Sequence, residues 1–268
     1  MPAPPWKRGD YLERGEIRGY QNGSVRAYYF LGADVLNVLD LEKGEGYFWV
    51  RDASNVPVYM SGAPFLSIFG DWFESKELRF IHAGAVGYPD GAALITGKGG
   101  SGKSTACLSC LDSDLHYLSD DYTLYGLEGG PVVFGLYGSG KKNTNDLARL
   151  PFLSARAAVP DDQDAEKSLF FLNKYFPGKL LPASPLKALF IVRIGPGEGT
   201  TLTQAPPQAA FLASAPSSVL QLSGAGERAF RSIARLVREL PCYYLNIGSD
   251  IKKISQTISR FLKNGEIS

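Results

Sequence analysis

Apolar positions change rhythm along this chain, and each rhythm predicts a different element. From Gly15 to about Met60, aromatic and β-branched residues come in short runs: Arg26-Ala-Tyr-Tyr-Phe-Leu, Gly46-Tyr-Phe-Trp-Val and Val56-Pro-Val-Tyr. Gly, Asp and Asn separate them. Runs of this length between turn formers predict short antiparallel strands. Leu78-Arg-Phe-Ile-His-Ala-Gly-Ala-Val predicts another strand, Tyr88-Pro-Asp-Gly a turn, and the apolar run Ala92 to Thr96 a buried strand. Leu115 to Tyr125 reads as a strand interrupted by adjacent carboxylates, and Leu189-Phe-Ile-Val-Arg-Ile as a further buried strand. Phe230, Ile233, Leu236, Val237 and Leu240 mark one helical face, and Ile251, Ile254, Ile258 and Phe261 another. Cys242-Tyr-Tyr-Leu-Asn-Ile forms a strand between them. No Pro/Gly/Ser linker and no internal repeat divides the chain. The expectation is an α/β protein with one domain over residues 1–268, in which a β-rich N-terminal extension (1–77) packs on a core (78–268).

Chemistry enters at the end of the apolar run. Gly97-Lys98-Gly99-Gly100-Ser101-Gly102-Lys103-Ser104-Thr105 follows it directly, and the next residues, through Leu111, contain no Gly or Pro. Strand, glycine-rich loop and helix in this order form a phosphate-binding loop. Its glycines let backbone N–H groups turn toward phosphate oxygens, Lys103 reaches the terminal phosphates, and the Ser104 hydroxyl can ligate Mg²⁺. A rival match, Gly135 with Gly140-Lys141-Lys142, places a lysine where the metal needs a hydroxyl. It reads as a flexible turn with a solvated basic pair, or as a turn that brings Lys141 to the edge of the first site.

Asp120 and Asp121 stand 17 and 18 positions after Lys103, far enough for a helix, a turn and one return strand. A carboxylate at a strand end beside such a loop supplies a second Mg²⁺ contact, and its neighbour can accept the proton of an attacking hydroxyl. On an extended strand the two side chains point oppositely and divide these roles. Asp120 is expected to be the base and Asp121 the metal contact. His82, at the end of the preceding strand, is placed to polarise a carboxylate or a phosphate oxygen. His116 falls in an expected turn and has no such role.

Composition narrows the alternatives. The 268 residues are 44% hydrophobic, enough for a substantial core, and the net charge of +1 gives no general pull toward nucleic acid or an anionic membrane. The first residues lack an apolar signal region and no stretch approaches a membrane span, so a cytoplasmic protein is expected. Nothing in the sequence specifies a homo-oligomer. Cys107 and Cys110 form a Cys-x-x-Cys pair inside the helix after the loop, with no second pair to complete a zinc site, and read as packing residues. Asp161, Asp162 and Asp164 read as a solvated loop. The basic residues Lys141, Arg149 and Lys174, in a Gly/Pro-punctuated region from Gly135 to Pro185, are candidates for holding an acceptor substrate.

The order Ile81-His82-Ala83, then Gly97 to Thr105, then Leu118-Ser119-Asp120-Asp121-Tyr122 resembles the catalytic domain of HPr kinase/phosphorylase, whose fold is related to phosphoenolpyruvate carboxykinase. The likeness covers residues 78 to 125 at the level of motifs, and more loosely extends to about residue 195. It implies a phosphoenolpyruvate-carboxykinase-like nucleotide core that uses ATP and Mg²⁺. Lys103 and Ser104 would hold phosphates and metal, His82 would support catalysis, and the aspartate pair would supply base and metal contact. The N-terminal part does not resemble that family's regulatory domain, and its glycine-rich signature after the aspartates is missing. The compact chain is more similar to the homologues found with lasso-peptide biosynthesis, which phosphorylate a precursor peptide on its C-terminal serine; Ser139-Gly140-Lys141 would match their Ser-x-Lys element. A kinase of free serine and a nucleotide-dependent regulatory module without transfer chemistry are the alternatives.

Overall fold

The computed structural model describes residues 5–12, 15–154, 156, 167–221 and 226–267; the acidic cluster Asp161, Asp162 and Asp164 lies outside them. Strands β1 (Val25–Phe30), β2 (Val35–Asp40) and β3 (Glu45–Val50) pair antiparallel in sequence order; β1 and β3 fall on predicted runs, whereas β2, which has no aromatic residue, is not among them. Alternation gives this sheet two working faces. Ala27 and Tyr29 pack with Ile17, Leu36, Val38 and Trp49 on one. Tyr28, Asn37 and Phe48, cross-strand partners, share the other. Val56-Pro-Val-Tyr does not continue the sheet as expected. Pro57 caps a short helix, α1 (Val58–Gly62), and a second, α2 (Leu66–Glu74), follows it. Pro suits a helix start because its missing N–H would be unpaired there in any case.

The stretch from Leu78 was expected to form one strand and instead forms two. β4 (Arg79–Ile81) ends in a tight turn in which Ala83 N donates to Ile81 O at 2.9 Å, and β5 (Gly84–Tyr88) begins directly after it. The Pro89-Asp90 turn joins β5 to β6 (Gly91–Thr96), and the glycine-rich loop leads into α3 (Lys103–Ser109). β7 (His116–Ser119) and β8 (Thr123–Gly126) flank the carboxylate pair; His116 therefore opens a strand rather than lying in a turn. After β9 (Val132–Phe134), the region expected to be loop-rich holds β10 (Ser139–Asn143), the single turn α4 (Pro151–Ser154), β11 (Lys167–Phe171) and the single turn α5 (Leu172–Tyr175). Lys141 and Lys142 are thus strand residues, buried to 9% and 7% exposure, and not a solvated turn. The chain ends with β12 (Ala183–Ile194), β13 (Thr201–Gln204), α6 (Pro207–Gln221), α7 (Glu227–Glu239), β14 (Cys242–Ile247) and α8 (Ile251–Asn264).

Nine of these strands form one mixed sheet in the order β4-β8-β9-β12-β6-β5-β7, with β14 on β12 and β13 on β14. The long strand β12 unites it. Its first residues pair antiparallel with β9, and the remainder runs parallel to β6 and β14. Both faces are covered, which explains why β6 is buried throughout. Ala93, Ile95, Phe190 and Val192 pack with α3 and α8, and Ala92, Leu94, Leu189 and Ile191 with α6 and α7. No helix among the described residues is long and apolar enough to cross a membrane.

The N-terminal sheet is joined to the core through α2. The Tyr28 hydroxyl donates to Asp71 Oδ2 at 2.7 Å in a buried contact, while Leu66, Phe69 and Phe73 pack against Phe80 and Leu124. Burial pushes the Asp71 carboxyl up to about 6, against the Tyr28 hydrogen bond, which lowers it. A raised carboxyl favours the fold fully below its unfolded value near 3.8, and that contribution is lost as pH rises through about 6. Asp71→Asn keeps an acceptor for Tyr28 and removes the titration. Its melting temperature relative to the parent should therefore climb between pH 4 and pH 6 and level off above; a pH-independent difference would exclude Asp71 as the origin.

Candidate active site

Two breaks in the sheet line up to make the site. β4 pairs with β8 up to Ile81↔Thr123, and β5 pairs with β7 from Ala85↔Ser119, so the interruption at His82-Ala83 lies opposite the one at Asp120-Asp121. The carboxylates therefore sit in a turn between strands, not along a strand as expected. Tyr122 N donates to Asp120 O at 2.8 Å across Asp121, whose φ is +67°. A non-glycine residue held there is strained, and such strain persists only where the surroundings enforce it. Thr123 Oγ1 donates to Ala83 O at 2.7 Å, and His82 N donates to Ser218 Oγ of α6 at 2.9 Å, fixing both sides of the gap.

The two carboxylates have different surroundings. Asp120 is 7% exposed and its Oδ2 has no hydrogen-bond partner among the described residues. Burial and the charge of Asp121 push it up to about 7, against the Ser104 hydroxyl, Lys103 and Lys141, which favour its charged form. Asp121 faces His82 Nε2 at 3.5 Å through Oδ1 and Lys141 Nζ at 3.8 Å through Oδ2. Burial would raise its carboxyl, but the hydrogen bond from His82 and the charges of Lys141 and Lys167 outweigh that and hold it below the usual range. The Ser104 hydroxyl, expected to share a metal with Asp121, is instead beside Asp120.

The glycine-rich loop closes the opposite wall. Gly102, at φ +103°, starts α3, and a Cβ there would lie 2.5 Å from Ile247 Cδ1. Lys103 is buried and curls over its own loop, donating to Gly97 O at 2.8 Å and Lys98 O at 3.3 Å. Burial draws its proton affinity down, while Asp120 and Asp121 oppose the shift. Lys141 is in the same condition, lowered by burial and opposed by the same pair.

A cleft of about 480 Å³ is lined by His82, Gly99, Gly100, Gly102, Lys103, Ser104, Thr105, Asp121 and Lys141, while Asp120, buried next to Asp121, is not part of its lining. Of the candidate substrate residues, Arg149 lines it as well, whereas Lys174 is exposed elsewhere, over the Tyr175 ring. Lys167 replaces it. It opens β11, paired with Asn143, and lies in the cleft wall. Tyr59, Tyr122, Ile194 and Ile247 also line the cleft. No local signal marks Tyr59 or Ile194, which arrive from distant elements, whereas Tyr122 could have been read from its place after the acidic pair.

A divalent cation fits the residues present. Asp120 offers a buried oxygen without a partner beside the Ser104 hydroxyl. Among the described residues no three His, Cys, Asp or Glu side chains converge on a metal position. Two protein oxygens, completed by phosphate and water, suit Mg²⁺, which dehydrates reluctantly. Cys107 and Cys110 are fully buried in the core beneath the loop, and burial pushes both thiols up.

No family model and no curated protein matches the chain. Among solved structures it is similar to the Hpr(Ser) kinase/phosphatase from Coxiella burnetii, at 14% identity over 42% of this chain and 64% of that one, with a TM-score of 0.28. The match spans less than two thirds of that protein. A superposition this loose bears on neither the activity nor the substrate of this chain.

Gly84 is where loop helix and carboxylates press together. A Cβ there would lie 2.1 Å from Cys107 Sγ and 3.2 Å from Ser119 O. Gly84→Ala should therefore cost about 1–3 kcal/mol by overpacking and weaken nucleotide binding as α3 shifts. Cys107→Ala should restore part of both in denaturant titrations and nucleotide-binding assays. Strictly additive effects would show that the two atoms do not compete for the same space.

Proposed function

We propose that the chain is an ATP- and Mg²⁺-dependent kinase that phosphorylates a serine hydroxyl, on the C-terminal serine of a lasso-type precursor peptide. The core 78–268 would serve as a phosphoenolpyruvate-carboxykinase-like nucleotide core, acting as one domain with the extension 1–77. One observation carries the reading: the loop bearing Lys103 and Ser104, Asp121 of the strained turn and His82 all line a single cleft, so phosphate-binding and proton-accepting groups face the same space.

The different surroundings of the two aspartates support a reading in which their roles are the reverse of the expected order. Asp120, buried beside Ser104 with a free oxygen, would hold Mg²⁺. The metal, when bound, neutralises charge on the phosphates and leaves Asp120 ionised. Asp121 is ionised at neutral pH, opens onto the cleft and is oriented by His82, so it is the group placed to take the hydroxyl proton. Backbone N–H groups of Gly99 to Gly102 and the Lys103 ammonium would hold the terminal phosphates. The serine oxygen then forms a bond to the γ-phosphorus, the bond from that phosphorus to the bridging oxygen breaks, ADP leaves, and the proton passes to Asp121. Positioning and charge stabilisation, rather than covalent catalysis, supply most of the acceleration in such a transfer.

The acceptor side of the cleft is cationic. Lys141, Arg149 and Lys167 line it; among the described residues Asp121 faces Lys141 at 3.8 Å, and Asp146 is paired to Lys142 at 2.7 Å. A C-terminal carboxylate next to the acceptor serine complements those charges. A serine-terminated peptide should thus be phosphorylated faster than its C-terminal amide and far faster than free serine, as read by mass spectrometry after incubation with Mg²⁺ and ATP. Turnover of free serine alone would replace the peptide with a small-molecule acceptor, and ATP hydrolysis with no phosphorylated acceptor would replace the kinase with a regulatory module.

Variants separate the roles. Asp121→Asn should slow transfer by on the order of 10²–10⁴-fold with nucleotide affinity nearly unchanged, the scale of a lost general base. Asp120→Asn and Ser104→Ala should chiefly raise the Mg²⁺ requirement, and Lys103→Ala should abolish transfer. If Asp120→Asn, and not Asp121→Asn, left Mg²⁺ dependence intact while stopping transfer, the two roles would be exchanged.

A further inference from the structure

A second, smaller pocket opens beside the cleft and belongs to none of the nucleotide chemistry. It has a volume of about 110 Å³ and lies between the N-terminal sheet and the first two helices, walled by Phe30, Phe48, Met60, Phe65 and Leu66. Tyr59 and Tyr122 line both spaces, so the pocket adjoins the cleft. Tyr122 directly follows Asp121, which puts the pocket wall one residue from the proposed proton acceptor.

One pocket residue breaks the pattern of its strand. β2 presents Val35, Asn37 and Leu39 on its buried face, and an amide interrupts an otherwise apolar row. Asn37 is 3% exposed, and its Oδ1 has no hydrogen-bond partner among the described residues. A buried acceptor left unpaired costs free energy, and a residue that breaks a local rule without a partner inside the fold points to a partner outside it. Phe65, on the rim, holds a left-handed backbone with φ +59°, a conformation rare for a bulky aromatic residue.

We propose that this pocket selects the peptide substrate by receiving the side chain of one of the two residues preceding the acceptor serine, and that it prefers a ring bearing a hydrogen-bond donor, tyrosine above all. The inference rests on the peptide-kinase reading for the identity of the ligand. Aromatic walls favour a ring by apolar burial and edge-to-face contact. The Asn37 carbonyl selects a donor at its tip, because a ring without one leaves the amide unpaired. At about 110 Å³ the pocket is smaller than the 150 Å³ apolar cavity that accommodates benzene, so it excludes an indole and would take a single ring only with the walls yielding or part of the ring left outside. The N-terminal sheet would thereby act as a specificity element for a reaction carried out by the core.

The test begins with binding, which needs no transfer. N-acetyl-tyrosine amide, N-acetyl-phenylalanine amide and N-acetyl-alanine amide are titrated into the isotopically labelled full chain and followed by NMR. The tyrosine probe should shift resonances of Phe48, Leu66 and Tyr122, the phenylalanine probe should bind roughly five-fold more weakly, the value of one hydrogen bond, and the alanine probe should not bind. Asn37→Leu and Ala63→Leu, which each add bulk to the pocket lining, should each abolish the tyrosine-specific shifts; the second serves if the first fails to fold. Absence of binding, equal binding of all three probes, or binding indifferent to the folded filling variant overturns the proposal. Serine-terminated peptides with Tyr, Phe or Ala at either preceding position form the second arm, with KM lowest for Tyr. Phosphorylation with equal KM throughout overturns the pocket and leaves the kinase; specific probe binding with no peptide phosphorylated overturns the kinase and leaves the pocket.

Discussion

Two carboxylates on adjacent residues, at one turn shielded from water, repel each other, and the core is arranged around that repulsion. Burial makes an unpaired charge costly, so a buried acidic pair persists only where other groups compensate. Here the compensation comes from separate elements. Lys103 and Ser104 arrive from the glycine-rich loop, Lys141 from β10 and His82 from the gap between β4 and β5. They divide unequally, leaving Asp120 with a high proton affinity and Asp121 with a low one. That asymmetry gives two adjacent carboxylates different protonation states in the same turn.

The sheet supplies the geometry. Because β4–β8 and β5–β7 pair on either side of the same level, neither strand break could move without moving the other. α6 secures the arrangement through small residues: Ala210, Ser214 and Ser218 are all fully buried, and Ser218 holds the backbone of His82. The N-terminal sheet is tied to this centre rather than appended to it, since α2 links it to β4 and α1 places Tyr59 in the cleft wall.

What was legible in the sequence follows from which interactions are local. The glycine-rich loop, its strand and its helix can be read because backbone conformation and phosphate contact demand particular residues at fixed spacing. The last helices can be read because a single apolar face repeats at one period, and Ile233, Leu236, Ile254 and Ile258 are buried as that period requires, although Phe230, expected on the same face, is 50% exposed and meets Phe211 edge-on. α6 was missed because its buried face is made of Ala and Ser and it contains Pro216, so neither amphipathic contrast nor propensity marks it. The division of Leu78 to Val86 into two strands was missed because both halves are apolar and the break serves the site rather than the pattern. Lys141 and Lys142 looked solvated because lysines usually are; their burial depends on carboxylates from Asp120 and Asp121 for one and Asp146 for the other. Lys174 drew notice for its charge alone, and charge without register does not locate a side chain.

In the proposed site, Asp120 carries a proton near neutral pH until a dication takes its place. Calorimetric titration of a non-hydrolysable ATP analogue with Mg²⁺ at pH 6, in two buffers of different ionisation enthalpy, measures the protons released on binding. Linkage predicts that the parent releases about one proton more than Asp120→Asn, and that the difference fades by pH 8, above the value of about 7. Equal proton release from the two proteins at pH 6 would contradict it.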